Sequence, residues 1–163
     1  MSEQLQYEVK TFVEHVGIVF EDTGIPRMAG RIFGWLLVSN PSHQSADELA
    51  DVLMASKGSI SSMTRLLIQI GLIERFGMPG IRHDLFRIKS DACQCLIKRG
   101  LENEITLFRQ LAEHGMELTT GNQSLTQQGL REMFDTYAFY ESEFPVLIEK
   151  WKEVKKTNLL NIP

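Results

Sequence analysis

The sequence predicts a mainly α chain with one small β hairpin, flanked at both ends by helices that pair chains. Three observations carry this expectation. Ser45-Ala46-Asp47-Glu48-Leu49-Ala50 opens a short amphipathic helix, and Ser56-Lys57-Gly58-Ser59-Ile60-Ser61 opens a second one that runs to Gly71-Leu72. Turn formers at Gly77-Met78-Pro79-Gly80 then separate two short apolar segments. Outside this middle, apolar residues follow alternating steps of three and four at both ends of the chain, the spacing of helical seams.

The elements follow in order. Leu5, Val9, Phe12, Val16 and Val19 are spaced 4, 3, 4, 3 between Gln4 and Phe20, so a first helix with a narrow seam seeks a partner helix. Gly24-Ile25-Pro26 breaks it, and Pro26 suits the first position of the next helix, where its missing N–H costs nothing. That helix, from Arg27 to about Ser39, carries Gly30 and Gly34 on one face and should be buried and closely approached; Trp35 and Phe33 are core by default. Arg27 and Arg31, four apart on it, either touch phosphate or pair with acids of neighbouring helices.

Ser45 with Glu48 three residues on is a capping box, and Leu49, Ala50 and Leu53 form the inner face of the short helix it starts. Met54 to Lys57 makes the turn. In the following helix Ile60, Met63, Leu67 and Ile70 share one side, which leaves Gly58, Ser61, Ser62, Arg65 and Gln69 on the other. Gly71 closes it. Leu72 to Phe76 and Asp84 to Ile88 are the two strands, and Arg82 and His83 stand at the tip between them. A helix-turn-helix followed by such a hairpin is a winged helix.

Ser90-Asp91 caps a long helix to about Leu118, and Gly121-Asn122 separates it from a last helical region. There Leu130, Met133, Tyr137, Tyr140, Phe144, Leu147, Trp151 and Val154 form a heptad seam suited to core or dimer interface. Pro145 predicts a kink, or two helices meeting near Phe144. The organisation expected is an N-terminal dimerisation helix over residues 1–22, a winged helix-turn-helix over 23–89, and a C-terminal dimerisation region over 90–163.

Composition narrows the function. With 163 residues and 43% apolar content the chain folds a core. Its longest apolar run, Ile32 to Val38, is far short of the roughly 20 residues of a membrane span, and Met1 to Gln6 lacks the features of a secretory signal. A cytoplasmic protein without membrane partners is expected. Cys93 and Cys95 are two apart and read as reduced thiols, and His15, His43, His83 and His114 show no metal-ligand spacing. No nucleophile elbow, phosphate-binding glycine loop or histidine-carboxylate pattern points to an enzyme, and no cofactor is called for.

The net charge of −4 hides an asymmetry. Met54 to Ser90 holds six basic residues and two acidic ones, a window of +4 on a remainder of −8. A basic face on an acidic body attracts phosphates at one surface. Arg65 and Gln69, with Ser61 and Ser62, are the candidates for reading or approaching base edges, while Lys57, Ser59, Arg82 and His83 would hold the DNA backbone. A protein-interaction adaptor on the same fold is the alternative; its helix face would favour Leu, Phe or Tyr over this small polar set.

Leu49-Ala50, Leu53, Ser56, Ile60-Ser61, Leu67 and Gly71-Leu72-Ile73 together resemble the MarR-type winged-helix transcriptional regulators. Gly24 to Leu37 and Ser56 to Ser61 look like its GbsR-like branch. The resemblance spans about Phe12 to Ile88. It implies a homodimer held by terminal helices, a repressor's two winged helices on a double-stranded, pseudo-palindromic operator and, in some members, a choline or glycine betaine effector. Trp35 is the first candidate for effector binding, since aromatic faces attract quaternary ammonium groups.

Overall fold

The computed structural model describes residues 3–119 and 125–159, which form two compact units divided between Leu96 and Ile97. The first contains α1 (Glu3–Asp22), α2 (Arg27–Val38), β1 (His43–Ser45), α3 (Ala46–Leu53), α4 (Lys57–Gln69), β2 (Ile73–Phe76) and β3 (Leu85–Ile88). It also holds the first turn of α5 (Ala92–Leu118), whose Ala92 is buried in its core. The second is built from the rest of α5 and from α6 (Leu125–Leu159). The mainly helical fold with a small antiparallel sheet is the one the sequence predicts.

The first helix does meet a partner, α2, but through another face than expected. Val13, Gly17 and Phe20 are buried and Val16 is half-buried, whereas Leu5, Phe12 and Val19 of the anticipated seam stay exposed. Glycine decides this. A Cβ on Gly30 would lie 2.7 Å from Phe20 Cβ and 2.8 Å from Gly17 Cα, and one on Gly34 would lie 3.0 Å from Val16 Cβ. The backbones approach closely where Gly17 faces Gly30, so α1 turns that stripe inward. As anticipated, the two α2 glycines serve close packing.

Pro26 stands one position earlier than predicted, as the extended cap before Arg27, with its carbonyl accepting from Ala29 N at 2.9 Å. Arg27 and Arg31 pair with Glu14 of α1, at 3.1 and 2.7 Å. Ala29, Ile32, Phe33 and Leu36 of α2 join Leu49, Leu53, Ile60 and Leu67 in one core.

The capping box forms as predicted. Ser45 Oγ accepts from Glu48 N at 3.2 Å, while Ser45 N donates to Glu48 Oε2 at 2.6 Å. Met54, in the left-handed region at φ 50°, reverses the chain after α3, and Ser56 caps α4 by accepting from Ser59 N at 3.2 Å. Lys57 therefore belongs to the helix and not to the turn. Gly71, at φ 80°, ends α4 in a Schellman arrangement, with Leu72 N donating to Leu67 O and Gly71 N to Ile68 O.

The hairpin of β2 and β3 gains a third strand absent from the sequence reading. β1 pairs antiparallel with β3, His43 opposite Arg87 and Ser45 opposite Leu85, giving the order β1-β3-β2. Three residues show no useful alternation. The hairpin tip is fixed by Ile81 N donating to Met78 O at 3.0 Å around Pro79 and Gly80 (φ 85°), the signature of a type II turn.

In the second unit α5 and α6 run antiparallel: Phe108 stacks on Tyr137 at 5.2 Å, Thr106 Oγ1 donates to Glu141 Oε1 at 2.9 Å, and Leu130 lies against Gly115. Ile105, Ala112 and Phe144 are buried. Pro145 does not divide α6 into two helices; helix continues through it. A proline removes one donor, and the turns on both sides retain theirs. Of the C-terminal seam, Tyr140, Leu147, Trp151 and Val154 are exposed. The Gly121-Asn122 break lies outside the described residues.

A test of the α1–α2 contact is Gly30→Ala against Gly58→Ala, where an added Cβ meets nothing within 4 Å. Urea unfolding should show Gly30→Ala losing about 1–3 kcal/mol from overpacking, and Gly58→Ala gaining about 0.5–1 kcal/mol from helix propensity. Equal stabilities would dissolve the proposed glycine constraint.

Candidate nucleic-acid interface

Because Ile60, Thr64 and Leu67 of α4 are fully buried, the opposite stripe of the same helix faces solvent. Ser61, Ser62, Arg65 and Gln69 are all exposed there. Thr64 sits in the core because its hydroxyl donates to Ile60 O at 2.8 Å, which satisfies it inside the helix. Ser61, Thr64 and Arg65 line a groove of about 1010 Å³ whose other walls include the start of α3 and His83 and Asp84 of the hairpin. Ser61, Arg65 and His83 are thus brought together. Lys57, Ser59, Ser62, Gln69 and Arg82 do not line this groove; all but Ser59, which is half-buried, are exposed.

Pairing sorts the basic window into two groups. Arg75 meets Asp84 at 3.2 Å, Arg87 meets Glu74 at 2.6 Å and lies 4.5 Å from the Phe76 ring centre, and Lys89 meets Asp91 at 3.4 Å. The first two pairs cross the hairpin, and the third joins residues that follow β3. Lys57 meets Asp47 at 2.7 Å. Arg65 and Arg82 have no ion-pair partner among the described residues, so their guanidiniums are available to an outside anion.

The pairing of Asp47, at the start of α3, with Lys57 was overlooked by the sequence reading. The hydrogen bond and charge of Lys57 hold the Asp47 carboxyl below the usual range, aided by His83, and Asp47 in turn raises Lys57. Ten residues separate this pair, so no local spacing announces it. Hydrogen bonds from the Ser45 backbone and hydroxyl lower Glu48. Among the described residues no group of His, Cys, Asp and Glu could hold a metal, and no helix is long and apolar enough to cross a membrane. Cys93 and Cys95 are free thiols.

Comparison with known proteins supplies the family. The chain is 38% identical over 135 residues to the HTH-type transcriptional regulator MmpR5 of Mycobacterium tuberculosis, covering 83% of this chain and 81% of that protein. It belongs to the MarR family of transcriptional regulators. The family model described as MmpR5-like MarR family transcriptional regulator matches residues 100–154, beyond the stretch whose motifs carried the resemblance. A crystal structure of a transcriptional regulator superposes with a TM-score of 0.68 at 35% identity, over 90% of this chain and 99% of that one. The putative HTH-type transcriptional regulator YvaV of Bacillus subtilis is 26% identical over 86 residues, 53% of this chain and 48% of its own length. These relatives are regulators, not enzymes.

The cap offers a check on the local electrostatics. Because Glu48 is lowered when folded, its charge contributes stability above its ordinary value near 4.5, and this is lost as pH falls through the depressed folded value. Glu48→Gln keeps the side-chain shape without the charge. The stability difference between wild type and variant should be full at neutral pH and shrink in acid; a difference independent of pH would detach Glu48 from the cap.

Proposed function

We propose that this MarR-family regulator binds double-stranded DNA sequence-specifically as a homodimer in the cytoplasm and represses a nearby promoter, since a bound dimer excludes polymerase. One observation carries the DNA reading: the unpaired Arg65 stands amid exposed Ser61, Ser62 and Gln69 on α4, in a chain whose hairpin tip offers the unpaired Arg82 beside His83. Arginine pairs with the guanine O6/N7 edge, and glutamine with adenine. Ser61 and Ser62 are small enough to let the helix enter a major groove. Arg82 and His83 would meet phosphates or the minor groove, with Lys57 and Ser59 at the start of α4 holding the backbone. Lys57 contributes less than a free lysine, because Asp47 already shares its charge.

Dimerisation is supported by apolar surface left open within each unit. Leu5, Phe12 and Val19 of α1 are exposed, as are Leu101, Leu111, Leu147 and Trp151 on α5 and α6. Leu5, Phe12 and Val19 recur every seven residues and so share one helix face, the pattern of an association seam. Residues 1–22 and 90–163 would supply it around a DNA-binding segment at 23–89. Placement in the GbsR-like branch rests on the residue runs 24–37 and 56–61, and with it goes a choline or glycine betaine effector at Trp35.

Arg65→Ala should cost about 1–3 kcal/mol of specific affinity per subunit with melting temperature unchanged. Arg82→Ala should weaken specific and random DNA alike and reduce the salt slope. Titrations with operator and random fragments at several salt concentrations measure both. Unaltered affinity for Arg65→Ala removes that residue from the groove, and retention of DNA by neither wild type nor variants favours the protein-adaptor alternative. Leu147→Glu combined with Trp151→Glu should abolish dimers and binding to half-sites centred about 10 bp apart. Sedimentation measures this; a wild type that is monomeric at micromolar concentration contradicts it.

A further inference from the structure

Among the described residues of α4, Ile68 is the large apolar side chain left exposed, at 39%. Ile60 and Leu67 are buried and Met63 and Leu66 pack half-buried against the core, whereas Ile68 lies outside that cluster. Helical spacing sets it beside the base-reading candidates. Ser61, Arg65 and Ile68 are four and three residues apart, so at 100° per residue they fall within about 60° of one another. All three line the groove between α4 and the hairpin, whose lining also includes the buried Ile73 and Phe86. The polar stripe read from the sequence passes over Ile68, because its apolar character suggests core.

The surroundings decide what this side chain meets. Arg65, Glu74, Arg75 and Asp84 share the groove lining with it, and the core of a protein–protein interface is depleted of charge. A duplex fits better. The phosphates offer nothing to a hydrocarbon, but the major groove carries one apolar group, the C5-methyl of thymine, which no other base presents. Arg65, one turn earlier and without an ion-pair partner among the described residues, is free to pair with guanine in the same groove.

Spacing adds a constraint. Three residues of helix span about 4.5 Å, against about 3.4 Å between successive base pairs. A thymine met by Ile68 therefore stands within about two base pairs of a guanine met by Arg65.

We propose that Ile68 is a specificity-determining residue that packs on a thymine C5-methyl in the major groove. The proposal rests on the DNA reading above and deepens it. Hydrogen bonds from Arg65 select guanine, and an apolar contact beside them selects thymine by a separate physical term, the removal of two hydrocarbon surfaces from water.

The experiment uses the full chain and a genomic fragment that it selects, with each thymine replaced in turn by deoxyuridine, which deletes the methyl and keeps the base pairing. Wild type should bind about fourfold more weakly when the methyl is lost at one thymine of each half-site, the effect of one apolar carbon returned to water. That thymine should lie within about two base pairs of a guanine whose N7 methylation blocks binding. Ile68→Ala should weaken binding of the unsubstituted fragment by at least as much, keep its melting temperature, and bind the thymine and uracil fragments alike. Ile68→Val, which keeps a branched side chain, should retain the thymine preference and serves should Ile68→Ala fail to fold. A uracil penalty that survives in Ile68→Ala, or that disappears in neither variant, gives the methyl to another residue and overturns the assignment. Wild type that retains the fragment with no uracil penalty at any thymine overturns it too, and leaves the DNA reading standing. Wild type that retains no DNA overturns both.

Discussion

The contact of α1 with α2 at Gly17 and Gly30 governs the first unit. With 2.8 Å between Gly17 Cα and the point where a Gly30 Cβ would stand, the two backbones meet almost without side chains between them. Close packing on one side of α2 leaves its other side, with Ile32 and Leu36 fully buried, for α3 and α4. It also brings Glu14 within reach of Arg27 and Arg31, and through Arg31 to the carbonyl of Leu53. A side-chain-free crossing thus holds the helix-turn-helix in register with the helix in front of it.

Electrostatics does the sorting on the opposite surface. Six cations in one window suggest a uniformly basic face, yet Arg75, Arg87, Lys89 and Lys57 each have an acid within 3.4 Å. Such exposed pairs contribute little stability. They do lower the charge that an approaching polyanion meets, leaving Arg65 and Arg82 as the places where a new charge-assisted hydrogen bond can form without breaking an old one. An acidic remainder of the chain keeps phosphates off the rest of the molecule.

What was legible in the sequence was local chemistry. The capping box at Ser45 and Glu48, the glycine stop at Gly71 and the turn at Pro79-Gly80 each depend on residues within five positions, and each formed as expected. The core of α4 followed from helical spacing, which fixed its exposed stripe as well. Illegible features were tertiary. β1 is three residues that become a strand only because β3 offers an edge. The face of α1 was misread because apolar counting ignores Gly17, whose missing side chain is what α2 packs against. The Lys57–Asp47 pair joins residues from separate helices, and no periodicity reports it.

The central claim is that α4 enters a major groove while the hairpin tip rests on the neighbouring minor groove or its phosphates. Dimethyl sulfate methylates guanine N7 in the major groove and adenine N3 in the minor groove, so interference by each base on a selected genomic fragment tests this directly. Guanine N7 methylation should block binding in two clusters about one helical turn, roughly 10 bp, apart. Adenine N3 methylation should interfere only at the flanks, where the tips approach. Binding indifferent to guanine N7 methylation throughout a guanine-containing site would contradict it.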